Sequence, residues 1–279
     1  MSNLAGVFSA VLSAVAWGVG DFAGGMAARR ESPYRVLGVV SAAGLLALLA
    51  AGLLTREALP RPADVGWAVL GGAAGAVGIV ALYRALAEGS AAVVSPTAAV
   101  VGAAIPVVVG AVLEGPPGGD RLLGIAVGLL GIWLVSRSAE GSSADARRDL
   151  SRAILAGVCF GAFFVSLGQV ARGSLFLPLV VAKAAALAVS AVVLARQRGL
   201  SPLTWPRPWA LAAGVLDAAG NVFYLIARQL SRLDVTAVLV SMYPALTVLL
   251  ARSVLRQRVS RGQWAGIALC LLSVARIAV

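Results

Sequence analysis

Long apolar stretches follow one another through almost the whole chain of 279 residues, and no other feature restricts its fold as strongly. They lie at residues 4–27, 34–54, 65–86, 91–113, 122–136, 153–170, 175–195, 209–227, 235–255 and 264–279. A helix needs about 20 apolar residues to cross a bilayer core about 30 Å thick. Because 60% of the residues are apolar and only 13% are charged, little of the chain remains for a domain in water. We therefore predict an all-α integral membrane protein with ten transmembrane helices.

The two halves of the chain resemble each other when one is shifted by about 142 residues. Trp67, Gly72, Gly78 and Gly124 fall on Trp209, Gly214, Gly220 and Gly266, while Tyr83 and Pro106 fall near Tyr224 and Pro244. A polar stretch at residues 137–152 separates two groups of five spans. Because five is odd, the second group must insert upside down, which gives an inverted repeat. We predict one five-helix repeat at residues 1–139, a linker at 140–150 and a second repeat at 151–279.

Composition argues against several kinds of site. The chain has no histidine, and its two cysteines share no CxxC spacing, so we predict no metal site and no disulfide framework. No phosphate-binding loop of the G-x-x-x-x-G-K-[ST] type is present, which argues against direct use of ATP, and we expect no cofactor. The net charge of +11 comes from arginines in short connections. That distribution favours anionic lipid headgroups as partners and argues against nucleic acid.

The distribution of arginine also predicts an orientation. The loops after spans 1, 3, 5, 7 and 9 carry 15 of the 22 arginines, and the other loops and both tails carry 7. By the positive-inside rule the richer side is cytoplasmic, which places both termini outside.

Three ionisable residues lie deep within apolar spans, where a charge costs roughly 2.5–3.5 kcal/mol on insertion scales. Lys183, the single lysine, and Asp217 lie near the middle of their spans, and Asp21 lies two thirds of the way along the first. Lys183 is expected either to pair with an acid or to offer its ammonium to an anionic substrate group. As the only opposite charges near the bilayer centre, Lys183 and Asp217 are predicted to form one unit.

Asp21 shares a face with Trp17. Either the two cradle a cation, or Trp17 is a packing residue and Asp21 pairs with Arg29 or Arg30.

Span 8 has a polar face at membrane depth. Gly214, Asp217, Asn221 and Tyr224 recur at helical spacing, so they share one side of the helix. This stripe is either the wall of a cavity or a buried acid satisfied by neighbouring helices. Pro106 and Pro244 occupy matched positions within spans, and prolines that interrupt helices often line carrier binding sites.

Motifs in both halves resemble those of EamA-type carriers of the drug/metabolite transporter superfamily. The first half has WGVGDFAGG in span 1 and SPTAAVVGAAIPVVVGAVLEG in span 4, and the second has LDAAGNVFYLIARQLSRLDVTAVLVSMYPALTVL. The resemblance implies ten helices in two inverted repeats, a central cavity open alternately to each side, and termini in the cytoplasm, opposite to the arginine count. After span 9 the family commonly has an acid where this chain has Gln257, whereas Glu114 keeps the acid of the first repeat.

From these observations we expect a secondary transporter in the cytoplasmic (inner) membrane that moves a small metabolite, with an amino acid or similar zwitterion and proton coupling as the favoured form. Multidrug or toxic-compound efflux is the alternative within transport. A structural membrane protein or an intramembrane enzyme is the alternative outside it, and no catalytic constellation is visible. The protein is expected to act as a monomer or homodimer. The candidates for the substrate cavity or for coupling are Trp17, Asp21, Tyr83, Pro106, Lys183, Asp217, Asn221, Tyr224 and Pro244.

Overall fold

The computed structural model describes residues 2–28, 31–88, 91–136, 146–196, 208–256 and 258–278, and within these ranges it contains eleven α-helices. The helices are α1 (Ser2–Ala28), α2 (Pro33–Leu54), α3 (Pro62–Glu88), α4 (Ala91–Glu114), α5 (Gly119–Ser136), α6 (Ala146–Leu167), α7 (Phe176–Ala195), α8 (Pro208–Leu230), α9 (Leu233–Val240), α10 (Tyr243–Leu255) and α11 (Arg261–Ala278). The described part of the chain has no strand. The prediction of an all-α membrane protein is confirmed.

Nine segments of the described residues are long and apolar enough to cross a membrane. The ninth, Leu233–Leu255, is one predicted span that the structure divides into α9 and α10. The tenth predicted span corresponds to α11, which is not among the nine, because Arg261, Gln263 and Arg276 lower its mean hydropathy. The count of ten transmembrane helices therefore stays a prediction. The linker expected at residues 140–150 lies largely outside the described residues, and its last residues belong to α6.

Matched glycines in the two halves make matched contacts, which is direct evidence of duplication. A Cβ on Gly72 would strike the carbonyl oxygen of Ala182, and a Cβ on Gly214 would lie 2.7 Å from that of Val40. The contacted residues are themselves 142 positions apart. The same relation links the contact of Gly78 with Cys159 to that of Gly220 with Trp17, and the contact of Gly124 with Ile277 to that of Gly266 with Val135.

Equivalent helices of the two halves run in opposite directions. Along the contact between α5 and α11, Gly124 lies beside Ile277, Gly128 beside Ser273 and Gly131 beside Cys270, so one helix descends as the other ascends. The equivalent helices α2 and α7 also cross antiparallel, since Gly38 meets Leu194 and Gly52 meets Leu177. The two halves therefore have opposite orientations, as the odd number of spans in each half predicts. The inverted repeat is confirmed.

The inverted arrangement sets which helices surround the middle of the molecule. Helix α1 packs on α8 and α10, and its counterpart α6 packs on α3 and α4. Helix α2 lies against both α7 and α8. Deeply placed residues of α1, α2, α7 and α8 are thereby brought to one region, although they are far apart in sequence.

Candidate functional site

The two opposite charges near the middle of the bundle form an ion pair. Nζ of Lys183 on α7 donates a hydrogen bond to Oδ2 of Asp217 on α8. The side chains are 13% and 29% exposed, respectively, so the pair is not sealed from its surroundings. Helix α2 lies against Lys183 and against α8 at Gly44, where a Cβ would be 3.5 Å from Cε of Lys183 and 3.0 Å from the carbonyl oxygen of Gly214. A small residue there lets the lysine pass close to α2 and reach α8.

Asp217 is held in place by two further residues. The amide of Asn221, one turn along α8, donates to the backbone carbonyl of Asp217 at 2.5 Å and to its Oδ1 at 3.3 Å. Nε1 of Trp17 donates across from α1 to the same backbone carbonyl at 3.3 Å. Of the predicted polar stripe on span 8, Asp217 and Asn221 are thus joined in one network with Lys183.

Asp21 is exposed although it lies deep within α1. Successive helix residues are rotated by about 100°, so Asp21 lies between the faces of α1 that touch its two partner helices. Gly20 lies 3.3 Å from the side chain of Leu216 on α8, and Gly18 lies 2.8 Å from that of Leu246 on α10, measured from an added Cβ. The Asp21 carboxylate therefore faces a gap between α8 and α10, away from the outer face of α1. A Cβ on the neighbouring Gly20 would lie 3.6 Å from the backbone nitrogen of Asp217, so the two acids lie near each other and their like charges repel.

Trp17 and Tyr224 lie in a buried aromatic cluster together with Phe163, Phe164 and Tyr243. The ring centroids of Trp17 and Tyr224 are 6.2 Å apart in a stacked arrangement, and Phe164 lies 5.4 Å from Tyr224. The hydroxyl of Tyr224 donates to the carbonyl of Phe164 at 2.5 Å, and Tyr224 is fully buried. The cluster joins α1, α6, α8 and α10, and Trp17 connects it to Asp217.

The matched prolines behave differently in the two repeats. Helix α4 continues through Pro106, which is buried, whereas α9 ends at Val240 and α10 begins just before Pro244. After the break, the hydroxyl of Thr247 donates to the carbonyl of Gly18 on α1 at 3.1 Å. The side chain of Tyr83, and the residues Arg29, Arg30 and Gln257, lie outside the described part of the structure.

Acids at one end of the molecule tie the two repeats together, and the sequence analysis did not single most of them out. The carboxylate of Glu57, between α2 and α3, accepts the backbone N–H groups of Leu175, Phe176 and Leu177 at the start of α7. Asp64 in the first turn of α3 accepts from the backbone of Ala171 at 2.9 Å and pairs with Arg61. The available signal was an acid near a helix start, a position that interacts favourably with free N–H groups.

A second tie at the same end is built around Glu114 at the end of α4. Its Oε1 lies 2.8 Å from Nη2 of Arg228, and its Oε2 accepts from the backbone of Leu233 at 3.2 Å. Arg232 pairs with the fully buried Asp234 at 2.8 Å and donates to the carbonyl of Glu114 at 3.0 Å. The first repeat is thus joined to the connection between α8 and α9.

The arrangement near the middle of the bundle offers one ammonium and two carboxylates to a ligand. It does not offer a metal site, since no cluster of three or more metal-ligating side chains occurs among the residues described. Cys159 and Cys270 are free and separate. The chemistry available is charge recognition and proton binding.

Comparison with known proteins finds one matching family model and several matching solved structures, and it gives one negative result. The family model described as "EamA-like transporter family" matches residues 4–137 and again residues 150–279. One solved crystal structure, whose description names no activity, superposes with a TM-score of 0.74 at 20% sequence identity and covers 97% of both chains. At that identity the similarity shows the fold alone. No curated protein matches the chain.

Proposed function

The chain belongs to the EamA-like transporter family, and we propose that it is a secondary carrier for a small zwitterionic metabolite, such as an amino acid, in the cytoplasmic membrane. The observation that carries this proposal is the shared location of Lys183, Asp217 and Asp21. The resemblance of two repeats to a transporter family supports transport as the activity. The residues of this chain support the choice of cargo.

The charge balance of the site favours a ligand that carries both signs. Lys183 and Asp217 neutralise each other, which leaves in excess the carboxylate of Asp21, an exposed residue between α8 and α10. A charge at that depth requires a partner. A substrate ammonium between the two carboxylates would supply it, while the substrate carboxylate would take over the ammonium of Lys183. In the absence of substrate a proton would neutralise the excess carboxylate, which couples transport to protons.

Alternating access fits the inverted repeat. We place the two repeats at residues 1–139 and 151–279, with ten membrane crossings, and we infer that the repeats rock against each other about the charged site. We infer that breaking the ties at Glu57 and Glu114 lets the two repeats move apart at that end. We assign a packing role in this motion to four further candidates, which are Trp17, Tyr224, Pro106 and Pro244.

The test is uptake of radiolabelled leucine, threonine and phenylalanine by proteoliposomes that contain the full chain, with and without an imposed pH gradient. We expect uptake of at least one amino acid above empty liposomes, with stimulation by the gradient. In Asp217→Asn this uptake should fall at least tenfold. Asp120→Asn is the matched control, because Asp120 is an exposed acid at the start of α5.

A second substrate class decides between the proposal and drug efflux. Lipophilic cations carry no carboxylate for Lys183, so they should compete weakly with amino acids. If such cations are transported in proteoliposomes and no amino acid is, the efflux alternative replaces the proposal. Equal losses in Asp120→Asn and Asp217→Asn would remove the site assignment.

A further inference from the structure

A large polar cavity lies at the end of the molecule where α4, α6 and α8 terminate. Its volume is about 650 Å³, within the range of roughly 300–1,000 Å³ that is typical of small-molecule sites. Arg228 lies eleven residues beyond Asp217 on α8, which places this cavity about 16 Å along the helix axis from the mid-membrane ion pair. The residues that line it include Glu114, Arg121, Gln169, Arg172, Arg228 and Arg232.

The lining is strongly cationic. Four arginines and one acid, Glu114, line it. Glu114 is already engaged with Arg228, and Arg232 pairs with Asp234. Arg121 and Arg172 have neither a hydrogen bond nor an ion pair within the described ranges of the chain. Nε of Arg228 is buried and likewise lacks a partner there. The cavity therefore holds more guanidinium donors than this part of the protein satisfies.

Hydrogen bonds from Arg232 to Asp234 raise the pKa of Arg232, with a smaller contribution from the charge of that acid, so the residue stays cationic at every physiological pH. The positive charge of the cavity is thus not removed by deprotonation. The charges of Arg121 and Arg172, which no acid among the described residues pairs with, have to be balanced by an anion from elsewhere or left to solvent.

The arginines are concentrated at the cavity, and only one of the four has an arginine at the matched position of the other repeat. The cavity lies on the face of the molecule that carries both tails and the loops after spans 2, 4, 6 and 8. That face has only 7 of the 22 arginines, and four of those seven line the cavity. The repeat does not reproduce this cluster. At the shift of 142 residues, Arg121, Arg172, Arg228 and Arg232 correspond to Gln263, Arg30, Leu86 and Ser90.

We propose that this cavity is an anion site that binds a phosphate group, supplied either by an anionic lipid headgroup or by a soluble phosphate. A guanidinium presents paired N–H donors that match the oxygens of a phosphate, and several such groups around one cavity are typical of phosphate recognition. The site is separate from the mid-membrane residues. It stands whether or not the chain transports an amino acid.

The test compares two double variants of the full chain in detergent. R121Q/R172Q removes the two unpaired arginines, and R56Q/R276Q removes two exposed arginines at the same end that do not line the cavity. Binding of phosphatidylglycerol and phosphatidylcholine is followed by native mass spectrometry. Binding of inorganic phosphate is followed by the shift of the thermal midpoint, with chloride at equal ionic strength as reference.

We expect the wild type to bind one of the two phosphate sources, and R121Q/R172Q to bind it at least tenfold more weakly than R56Q/R276Q. Retention of phosphatidylglycerol over phosphatidylcholine identifies a lipid headgroup, and stabilisation by inorganic phosphate identifies a soluble ligand. If neither source binds the wild type, or if both double variants lose binding equally, the proposal is overturned. Should R121Q/R172Q fail to fold, R121K/R172K keeps the charge without the forked donors and is expected to weaken binding measurably.

A gain of affinity provides an independent check. Glu114→Gln removes the carboxylate that competes for Arg228, so phosphate binding should tighten several-fold in this variant. Unchanged or weaker binding in folded Glu114→Gln would show that the released Arg228 does not contact the anion, which contradicts the proposal.

Discussion

A carboxylate in the middle of a membrane-spanning helix persists only when something nearby compensates its charge. Asp217 has that compensation from Lys183 and from Asn221. Asp21 faces a gap and has the charge of Asp217 beside it. The two acids therefore have opposite energetic roles although both lie at membrane depth, and single substitutions should separate them.

Asp217→Asn and Lys183→Met should each destabilise the protein, because each leaves one charge of the pair uncompensated. Removing one partner of a fully buried pair costs roughly 3–5 kcal/mol, and we expect about 2 kcal/mol here because Asp217 is partly exposed. The double variant should regain most of the lost thermal midpoint in detergent while uptake stays impaired. Midpoints equal to wild type in both single variants would contradict the pairing argument.

Asp21→Asn should behave differently from Asp217→Asn. It removes the repulsion between the two acids, so the thermal midpoint should stay the same or rise. The uptake that an imposed pH gradient drives should fall to its level without a gradient, because Asp21 is the proposed proton site. Gradient-driven uptake that persists in Asp21→Asn would assign the proton to another group.

At the scale of the helices, close crossings at glycine set the site. Trp17 lies against Gly220 of α8, and this contact positions the indole that donates to the carbonyl of Asp217. Ser13 donates to the carbonyl of Gly220 at 2.8 Å on the same line of contact. The two helices are therefore held together by small residues and by hydrogen bonds to backbone carbonyls, a common mode of packing in membranes.

Gly220→Ala should separate α1 from α8, because its Cβ would occupy the space of the Trp17 ring. Overpacking of this kind typically costs about 1–3 kcal/mol, and a lower thermal midpoint together with slower uptake is expected. Gly66→Ala is the matched control, since a Cβ on Gly66 in α3 meets nothing within 4 Å, and it should be neutral or stabilising. A similar loss in both variants would mean that the contact with Trp17 is not the cause, since alanine favours a helix more than glycine does.

The helices and their duplication could be predicted from the sequence because apolar length and repeated glycines are local signals. The contact of Lys183 with Asp217 could also be predicted, since no other opposite charges lie near the bilayer centre. The break between α9 and α10 could not, because Pro106 in the equivalent position leaves α4 intact. The ties made by Glu57 and Asp64 depend on which loops adjoin, and that is a property of the assembled bundle.

If the two inverted repeats were identical in sequence, the two ends of the whole molecule would be equivalent. The charged residues show that the two ends are not equivalent. At the shift of 142 residues, the four acids of the tied end, Glu57, Asp64, Glu114 and Asp234, correspond to Gly199, Pro206, Arg256 and Ala92. None of the four has an acidic counterpart. The end that these acids tie together therefore has interactions that the sequence of the other end does not provide.

Glu57→Gln should shift the protein towards a state that is open at the tied end, because a neutral amide stabilises the start of α7 less than a carboxylate does. Spin labels on cysteines introduced at Leu59 and Ser174, with Cys159 and Cys270 replaced by alanine, report the separation. We expect a longer mean distance, or a second longer component, in Glu57→Gln. The exposed acid Asp120 lies at the same end, so Asp120→Asn should leave the distribution unchanged, and an equal effect there would refute a specific tie.

The unequal ends carry a kinetic consequence. In any cyclic carrier the product of forward rate constants around the cycle equals the product of reverse ones when no gradient is present. A tie that stabilises one closed end therefore alters neither the final accumulation of cargo nor the direction that a gradient imposes. Under the alternating access proposed above, such a tie alters how long the empty carrier faces each compartment, so the substrate concentration at half-saturation should differ between the two faces of the membrane.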